Sequence, residues 1–188
     1  MMPSLAGEQP VLMLHQLDPG PQFPEVVRMV VEIPKNSVNK YEYDRVLGVF
    51  RLDRTLYSPM HYPGDYGFIP GTIAEDGDPL DVLVLTDGAT FPGCLQNVRP
   101  IGVLEMLDRS ALDTKIFAVP SGNPRYEQTY TLDQISTHSR VEIEHFFGVY
   151  KLLEDKKTKT MGWKGPQEAR QAIRESRHRY FESKHRKA

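Results

Sequence analysis

The sequence contains a single cysteine, Cys94, and no long uninterrupted run of apolar residues. One cysteine excludes an intrachain disulfide and is compatible with a reducing compartment. No apolar stretch approaches the ~20 residues that a membrane-spanning helix needs. Acidic and basic residues nearly cancel, at 25 against 23, so no overall charge favours nucleic acid or an anionic membrane as a partner. We therefore expect a cytoplasmic protein that binds neither.

Several common catalytic motifs are also missing. The sequence has no Gly-x-x-x-x-Gly-Lys-Ser/Thr loop, no Gly-x-Gly-x-x-Gly and no Gly-x-Ser-x-Gly. Its six histidines do not have the spacing of zinc proteases. These absences argue against P-loop nucleotide hydrolysis, dinucleotide binding, serine hydrolase chemistry and zinc proteolysis.

The chain length predicts one domain. At 188 residues it can bury a sizeable core without a second domain. Residues 1–22 are predicted to be a partly ordered N-terminal extension with a hinge at Pro19-Gly20-Pro21, and residues 23–188 to be the single domain.

Short apolar segments separated by Gly and Pro predict a mainly β protein. Such spacing is typical of a barrel or sandwich rather than of alternating strands and helices. The predicted strands are 26–33, 41–44, 46–52, 82–85, 98–107 and 115–119.

Two helices are predicted at the end of the chain. Ser139 and Glu142 form a candidate capping box for the first, and Pro166 is a good first residue for the second. The predicted core-facing residues are Ile143, Phe146, Tyr150 and Leu153 in the first helix, and Ala169, Ile173, Ser176 and Tyr180 in the second.

The most informative segment is an acidic loop that contains Asp76, Asp78 and Asp81. The apolar strand 82–85 follows it directly, so the loop enters a rigid core element. Three carboxylates this close repel one another unless a cation joins them, and oxygen ligands favour Mg²⁺ or Mn²⁺. The alternative is a solvated turn, because Asp, Gly and Pro are common turn residues.

A second group of polar residues could complete such a site. Individually, these residues could be surface ion pairs or core tyrosines. Together they provide carboxylates for metal ions and cationic or hydroxyl donors for phosphate oxygens, as metal-dependent phosphoryl transfer requires. The group consists of Glu32, Lys40, Glu42, Arg54, Tyr62, Tyr66, Asp108, Asp113 and Lys115.

The segment Asp76-Gly77-Asp78-Pro79-Leu80-Asp81-Val82-Leu83-Val84 resembles the signature of the family I soluble inorganic pyrophosphatases, in its bacterial form. The resemblance covers roughly residues 24 to 175. It includes the segments 26–34, 40–44, 62–70, 99–104, 118–120, 145–147 and 150–151, and ends near Gly162-Trp163.

The resemblance implies a five-stranded barrel similar to the oligonucleotide/oligosaccharide-binding (OB) fold, with helices outside it. It also implies an inorganic diphosphatase that uses several Mg²⁺ ions, or Mn²⁺ as a substitute, to hydrolyse pyrophosphate to two phosphates. A metal-activated water would attack in line. Bacterial members are homohexamers, so a hexamer is expected.

Carried over by position, each residue acquires an expected role. Asp78 would orient and deprotonate the attacking water, with Tyr66, Arg54 and Lys40 as further catalytic residues. The expected metal ligands are Asp76, Asp81, Asp108, Asp113 and Glu32. The expected phosphate-binding residues are Lys40, Arg54, Tyr66, Lys115, Tyr150 and Lys151, supported by Glu42 and Tyr62.

The chain departs from the family pattern at Arg109 and Ala111, where an acid and a glycine are usual. This places the shape and charge of the second acidic segment in question. Two other functions remain open at this point. One is a metal-dependent hydrolase of nucleoside triphosphates or polyphosphate, and the other is a non-enzymatic barrel that binds single-stranded nucleic acid. The aromatic residues here alternate with acids, which argues against the second.

Overall fold

Five strands of the protein pair in a closed ring, in the order β1, β4, β5, β7, β6 and back to β1. The computed structural model describes residues 13–108 and 111–185. Its elements are β1 Val27–Ile33, β2 Asn39–Asp44, β3 Val49–Thr55, β4 Asp65–Phe68, β5 Asp81–Val84, β6 Leu95–Asp108, β7 Ala111–Pro120, α1 Thr137–Val149, β8 Thr158–Lys164 and α2 Pro166–His185.

The ring is antiparallel except between β5 and β7, which run parallel. β8 adds to β6 outside the ring, and β2 and β3 form a separate hairpin. This topology confirms the predicted five-stranded, mainly β architecture with helices outside.

A bulge in β1 lies at Glu32. Val31 pairs with Gly67 and Ile33 with Tyr66, so two steps along β1 match one step along β4. A bulge leaves one residue outside the ladder and can redirect its side chain. Gly67 is required at this close approach, because a Cβ atom there would lie 2.0 Å from the Val30 carbonyl oxygen.

Apolar clusters pack against both faces of the strands in the ring. One cluster packs Phe146 and Phe147 of α1 against aromatic and aliphatic residues such as Leu83 and Phe117. A second cluster packs Ile173 of α2 against β-strand residues that include Val82. Burial on both faces explains why the segment 82–85 is continuously apolar rather than alternating.

The second helix begins at Pro166 as predicted, and its residues Ala169, Ile173, Ser176 and Tyr180 are all buried. The boundary predicted for the first helix was wrong. The N-cap position of α1 is Ser136, whose side chain makes no capping hydrogen bond, and Ser139 lies inside the helix. Ile135, which is itself buried, fixes the chain just before the helix, so packing rather than a local capping box sets its start.

Leu153 is not on the core face, because α1 ends at Val149 and a 3₁₀ turn follows at Leu152–Glu154. Its exposed fraction is 61%. The third strand also starts later than predicted, at Val49 instead of residue 46. Two strands, β4 and β8, were not predicted at all.

Part of the predicted N-terminal extension, residues 1–12, lies outside the described residues. Residues 13–22 run against the β2–β3 hairpin, the Pro70-Gly71 turn and α2. The carbonyl of His15 accepts a hydrogen bond from Gly71 N–H at 2.9 Å, and the Asp18 carboxylate lies 3.3 Å from Arg177. The division of the chain at residue 22 therefore stays a prediction.

Neither α1 nor α2, nor any other helix among residues 13–108 and 111–185, combines the length and the apolar character of a membrane span.

Candidate active site

The acidic loop is held by its own backbone and by one buried threonine. Asp76 accepts a hydrogen bond from Asp78 N–H at 3.0 Å, and Gly77 adopts a positive φ of 91° that suits glycine. Leu80 N–H donates to Thr72 Oγ1 at 3.0 Å. Asp81 then opens β5. The loop is thus fixed where it meets the barrel.

A pocket of about 540 Å³ opens beside this loop. Eight carboxylates and four cationic side chains line it, and they come from widely separated parts of the sequence. Twelve of the fourteen residues predicted for the site line the pocket: Glu32, Lys40, Glu42, Tyr66, Asp76, Asp78, Asp81, Asp108, Asp113, Lys115, Tyr150 and Lys151.

Lys115 joins two of the predicted metal ligands. Its ammonium pairs with Asp81 and, at 2.6 Å, with Asp113. Burial opposes the charged form of Lys115, but the two carboxylates outweigh it and raise its pKa above the usual value. Burial also raises the pKa of Asp113, although Lys115 opposes that shift.

Asp108 ends β6 and faces the segment that follows α1. Its carboxylate lies 2.7 Å from Lys151 Nζ. Lys151 also lies over the Tyr150 ring, 5.2 Å from its centroid. The second acidic segment and the end of α1 therefore meet at the pocket.

Of the two departures from the family pattern, Ala111 opens β7, and Arg109 lies outside the described residues.

The hairpin provides a third side of the pocket. Lys40 pairs with Glu42 and, at 3.3 Å, with Asp53. Arg54 does not line the pocket and pairs with Asp53 and with Glu154, the latter at 2.8 Å. Its expected role in phosphate binding is therefore not matched by a pocket-facing position.

Tyr62 is the other predicted residue that does not line the pocket. It is fully buried, and its ring packs 5.6 Å from that of Tyr66, which does line it. Burial raises the pKa of both phenols well above the usual value, so both remain neutral donors. Tyr62 thus occupies a supporting position behind Tyr66.

Two carboxylates of the pocket, the buried Glu32 and the more exposed Asp78, have a raised pKa. Burial raises the pKa of Glu32 to about 8, although a hydrogen bond from Tyr43 N–H at 2.8 Å opposes the shift. Burial also raises the pKa of Asp78, where the nearby Arg45 guanidinium acts in the opposite direction. Loss of hydration on burial is the main physical cause, and neighbouring carboxylates raise the pKa further.

The chemistry of these donors fits divalent metal ions. Carboxylate oxygens predominate, and they outnumber the cationic groups two to one in the pocket lining. Over residues 13–108 and 111–185, however, no three acidic, imidazole or thiol side chains converge in an arrangement that could hold a metal ion. Asp78, Asp81, Asp108 and Asp113 are each turned onto a lysine or arginine instead.

Sequence reasoning missed Tyr43, Asp44 and Arg45 of the hairpin, all of which line the pocket. Arg45 pairs with Asp78 at 2.5 Å. The turn signal after Asp44 was visible in the sequence, but nothing local showed that the turn would reach the acidic loop.

A second cavity, of about 310 Å³, lies on the other side of the acidic loop against α2. It shares Asp76, Asp81 and Asp113 with the first, but only two cationic side chains line it, Lys164 and Arg179, against four in the first. Lys164 pairs with Glu105 at 2.7 Å, and Arg179 donates to the Ile73 carbonyl at 2.9 Å. The first pocket therefore has the better chemistry for an anionic substrate.

Comparison with known proteins gives a consistent result. A family model described as inorganic pyrophosphatase matches residues 29–181. An inorganic pyrophosphatase of Geobacillus stearothermophilus is 46% identical over 160 residues, which is 85% of this chain and 97% of the relative. One from Synechocystis is 50% identical over 139 residues, or 74% of this chain and 82% of the relative.

A solved structure supports the same assignment. The crystal structure of inorganic pyrophosphatase from Thermus thermophilus aligns with a TM-score of 0.87 at 43% identity. The alignment covers 89% of this chain and 98% of that one.

Proposed function

The chain belongs to the inorganic pyrophosphatase family, and we propose that it hydrolyses pyrophosphate to two orthophosphates with Mg²⁺ as its metal. Family membership brings dependence on a divalent metal ion, and the choice of Mg²⁺ is part of the proposal. The observation that carries it is the pocket, where acidic side chains for metal ions and cationic side chains for phosphate meet in one cleft.

The metal ions would be held mainly by Asp76, Asp81 and Asp108, with Asp113 and Glu32 close by. Pyrophosphate is a dense anion that a cleft rich in carboxylates would otherwise repel. Bound Mg²⁺ supplies a positive field that attracts the substrate and lowers the pKa of water. The Lys115 and Lys151 pairs would have to yield part of their carboxylate contacts for this, which frees both ammonium groups for phosphate oxygens.

Asp78 is the proposed base. Its side chain is two-thirds exposed, at 66%, so water can reach it. It would accept a proton from the water that attacks phosphorus in line, without a covalent intermediate. The contact with Arg45 holds its carboxylate at the edge of the pocket.

Cationic and hydroxyl groups would neutralise charge on the leaving phosphate. Lys40, Lys115 and Lys151 face the pocket, and the phenols of Tyr66 and Tyr150 can donate hydrogen bonds. Arg54 would join them only by leaving Glu154. Glu42, through its pair with Lys40, and Tyr62, through its packing on Tyr66, would support these donors.

Phosphate release from pyrophosphate, with Mg²⁺ as the only metal and with EDTA, tests the proposal. Turnover of pyrophosphate that requires Mg²⁺ and far exceeds turnover of ATP and polyphosphate is expected. Equal or faster release from ATP or polyphosphate would favour the broader hydrolase. Salt-dependent oligonucleotide binding without any hydrolysis would favour the nucleic-acid binder.

A homohexamer in the cytoplasm completes the proposal, on the likeness to bacterial members of the family. Light scattering coupled to size-exclusion chromatography should give about six times the chain mass of 21.5 kDa. A monomeric mass would contradict the proposed assembly without affecting the proposed reaction.

A further inference from the structure

Tyr43 occupies an unusual place between the N-terminal segment and the pocket. It is a buried residue of β2 that also lines the pocket. Its ring belongs to a small apolar cluster with Val30 and Phe68, against which Leu14 and Phe50 pack. This cluster is separate from the two larger cores and lies directly behind the pocket wall.

On the N-terminal side, the Tyr43 hydroxyl meets the start of the described chain. It accepts a hydrogen bond from Leu14 N–H at 3.2 Å and lies 3.8 Å from the sulfur of Met13. The His15 ring packs 6.0 Å from the Tyr43 ring. One side chain therefore contacts three consecutive residues of the N-terminal segment.

The N-terminal segment is itself anchored to the domain beyond these contacts. Gly71 N–H donates to the His15 carbonyl at 2.9 Å, and Arg28 N–H donates to the Pro19 carbonyl at 2.6 Å. The Asp18 carboxylate also pairs with Arg177 of α2 at 3.3 Å. Residues 13–19 can therefore restrain the hairpin, because they are fixed to elements other than the hairpin.

On the pocket side, the backbone of Tyr43 holds Glu32 by the 2.8 Å hydrogen bond from its N–H. The turn that follows directly brings Arg45 to Asp78. Asp44 stiffens that turn by accepting two backbone N–H groups, from Val46 and Leu47, both at 2.9 Å. A shift of Tyr43 would therefore move the groups that contact Glu32 and Asp78, two carboxylates of the pocket.

We propose that Tyr43 is a positioning residue, and that residues 13–19, through its hydroxyl and ring, set the position of the hairpin over the pocket. The inference rests on the proposed function, because a hairpin held in place over the pocket should bind Mg²⁺ more tightly than a mobile one. The N-terminal segment thereby contributes to the site without contacting substrate.

The test compares two tyrosines of the same strand. Tyr43→Phe removes the hydroxyl that meets Leu14 and Met13 but keeps the ring. Tyr41→Phe is the matched control, because the Tyr41 hydroxyl accepts a hydrogen bond only from Asn39, at 3.1 Å, among the bonds found in the described part of the chain. Leu14→Ala keeps the backbone N–H that donates to Tyr43 but removes the side chain that packs against the cluster of Val30, Tyr43 and Phe68, so it weakens the apolar part of the same contact.

Three readouts are measured in the full-length protein: Mg²⁺ affinity by calorimetry, hydrogen exchange of residues 43–50, and the separate kcat and KM for pyrophosphate. Tyr43→Phe should weaken Mg²⁺ binding about three- to tenfold, the effect of one hydrogen bond. It should also speed exchange across residues 43–50 and leave kcat at saturating Mg²⁺ within about twofold. Leu14→Ala should likewise weaken Mg²⁺ binding and speed exchange across residues 43–50. Tyr41→Phe should change neither the Mg²⁺ affinity nor the exchange.

Unchanged Mg²⁺ affinity and exchange in Tyr43→Phe would overturn the inference, as would equal effects of Tyr43→Phe and Tyr41→Phe. A wild-type protein that releases no phosphate from pyrophosphate would instead contradict the proposed function. In that case, Mg²⁺ affinity and hydrogen exchange would still decide the role of Tyr43.

Discussion

Lys115 lies 2.6 Å from Asp113 with only 5% of its surface exposed. A lysine this buried is stable as a cation only because Asp113 and Asp81 share it. The three groups form a compact charged unit between β5 and β7, two strands that pair in parallel. Two acids that were predicted as metal ligands therefore also balance the charge of a buried lysine.

Replacing Lys115 by methionine should therefore destabilise the protein. Two partly buried carboxylates would lose their buried partner, and breaking a fully buried pair costs about 3–5 kcal/mol of unfolding free energy, so a loss of about 2–3 kcal/mol is expected. Urea denaturation at pH 7 in EDTA measures this. Lys159→Met, an exposed lysine of β8, is the control and should change little. A loss below about 1 kcal/mol in Lys115→Met would show that the pair is not needed for stability.

Asp78→Asn should abolish most of the turnover while the fold persists. The amide keeps the shape of the side chain but cannot accept a proton, so kcat should fall about 10²- to 10⁴-fold. Phosphate release at saturating Mg²⁺ measures the loss, and Asp133→Asn, with a side chain 93% exposed, is the control. Full turnover in Asp78→Asn, with unchanged Mg²⁺ affinity, would exclude Asp78 as the base.

Glu154 should make stability depend on acid pH. Burial opposes its ionisation, but hydrogen bonds and charges from Lys156 and Arg54 outweigh burial and hold its pKa below the usual value. A lowered folded-state pKa adds stability that is present above the unfolded-state pKa of 4.5 and is lost as pH falls through the folded-state value.

Glu154→Gln should accordingly be less stable than wild type by about 2 kcal/mol at pH 7, since hydrogen bonds to charged groups contribute on that order. The difference should shrink as the pH falls below 4.5. Urea midpoints from pH 3 to 7 would test this, with the exposed Glu127→Gln as control. A difference that does not vary with pH would contradict the assigned pKa shift.

Asp65 should be important for stability although it is outside the pocket. It is completely buried and accepts hydrogen bonds from Lys35 N–H at 2.8 Å, from Thr90 Oγ1 at 2.8 Å and from Gln96 Nε2 at 2.9 Å. Asp65→Ala would leave these donors unsatisfied and cost about 3 kcal/mol or more.

Asp65→Asn should cost less than the alanine change, because one oxygen remains to accept. Thermal unfolding of the two variants would give this order. Equal stability of Asp65→Ala and wild type would mean that the donors find other partners.

Local sequence patterns predicted the parts of the fold that are encoded locally. The acidic loop depends on neighbouring Asp, Gly and Pro residues, and α2 begins at a proline that suits a first helical turn. By contrast, β4 is four residues long and contains Asp65 and Gly67, which have low strand propensity. It becomes a strand because β1 and β5 pair with it on both sides.

The candidate site shows the same limit. Pattern and resemblance named the acids and lysines that converge, but not the side chain to which each would turn. Arg54 donates a hydrogen bond to Glu154, which lies 100 residues later in the sequence. Arg45 reaches Asp78 only because the hairpin folds over the acidic loop. Both contacts depend on tertiary packing that no local pattern encodes.

The bulge at Glu32 makes the residue count of β1 matter as much as its chemistry. Side chains alternate between the two faces of a strand. One residue inserted or deleted directly before Glu32 would therefore move every residue of β1 on the N-terminal side of the change to the opposite face. Val27, Met29 and Val31 would then leave the core that α2 covers. We expect this strand to accept conservative substitutions during divergence while rejecting changes in length.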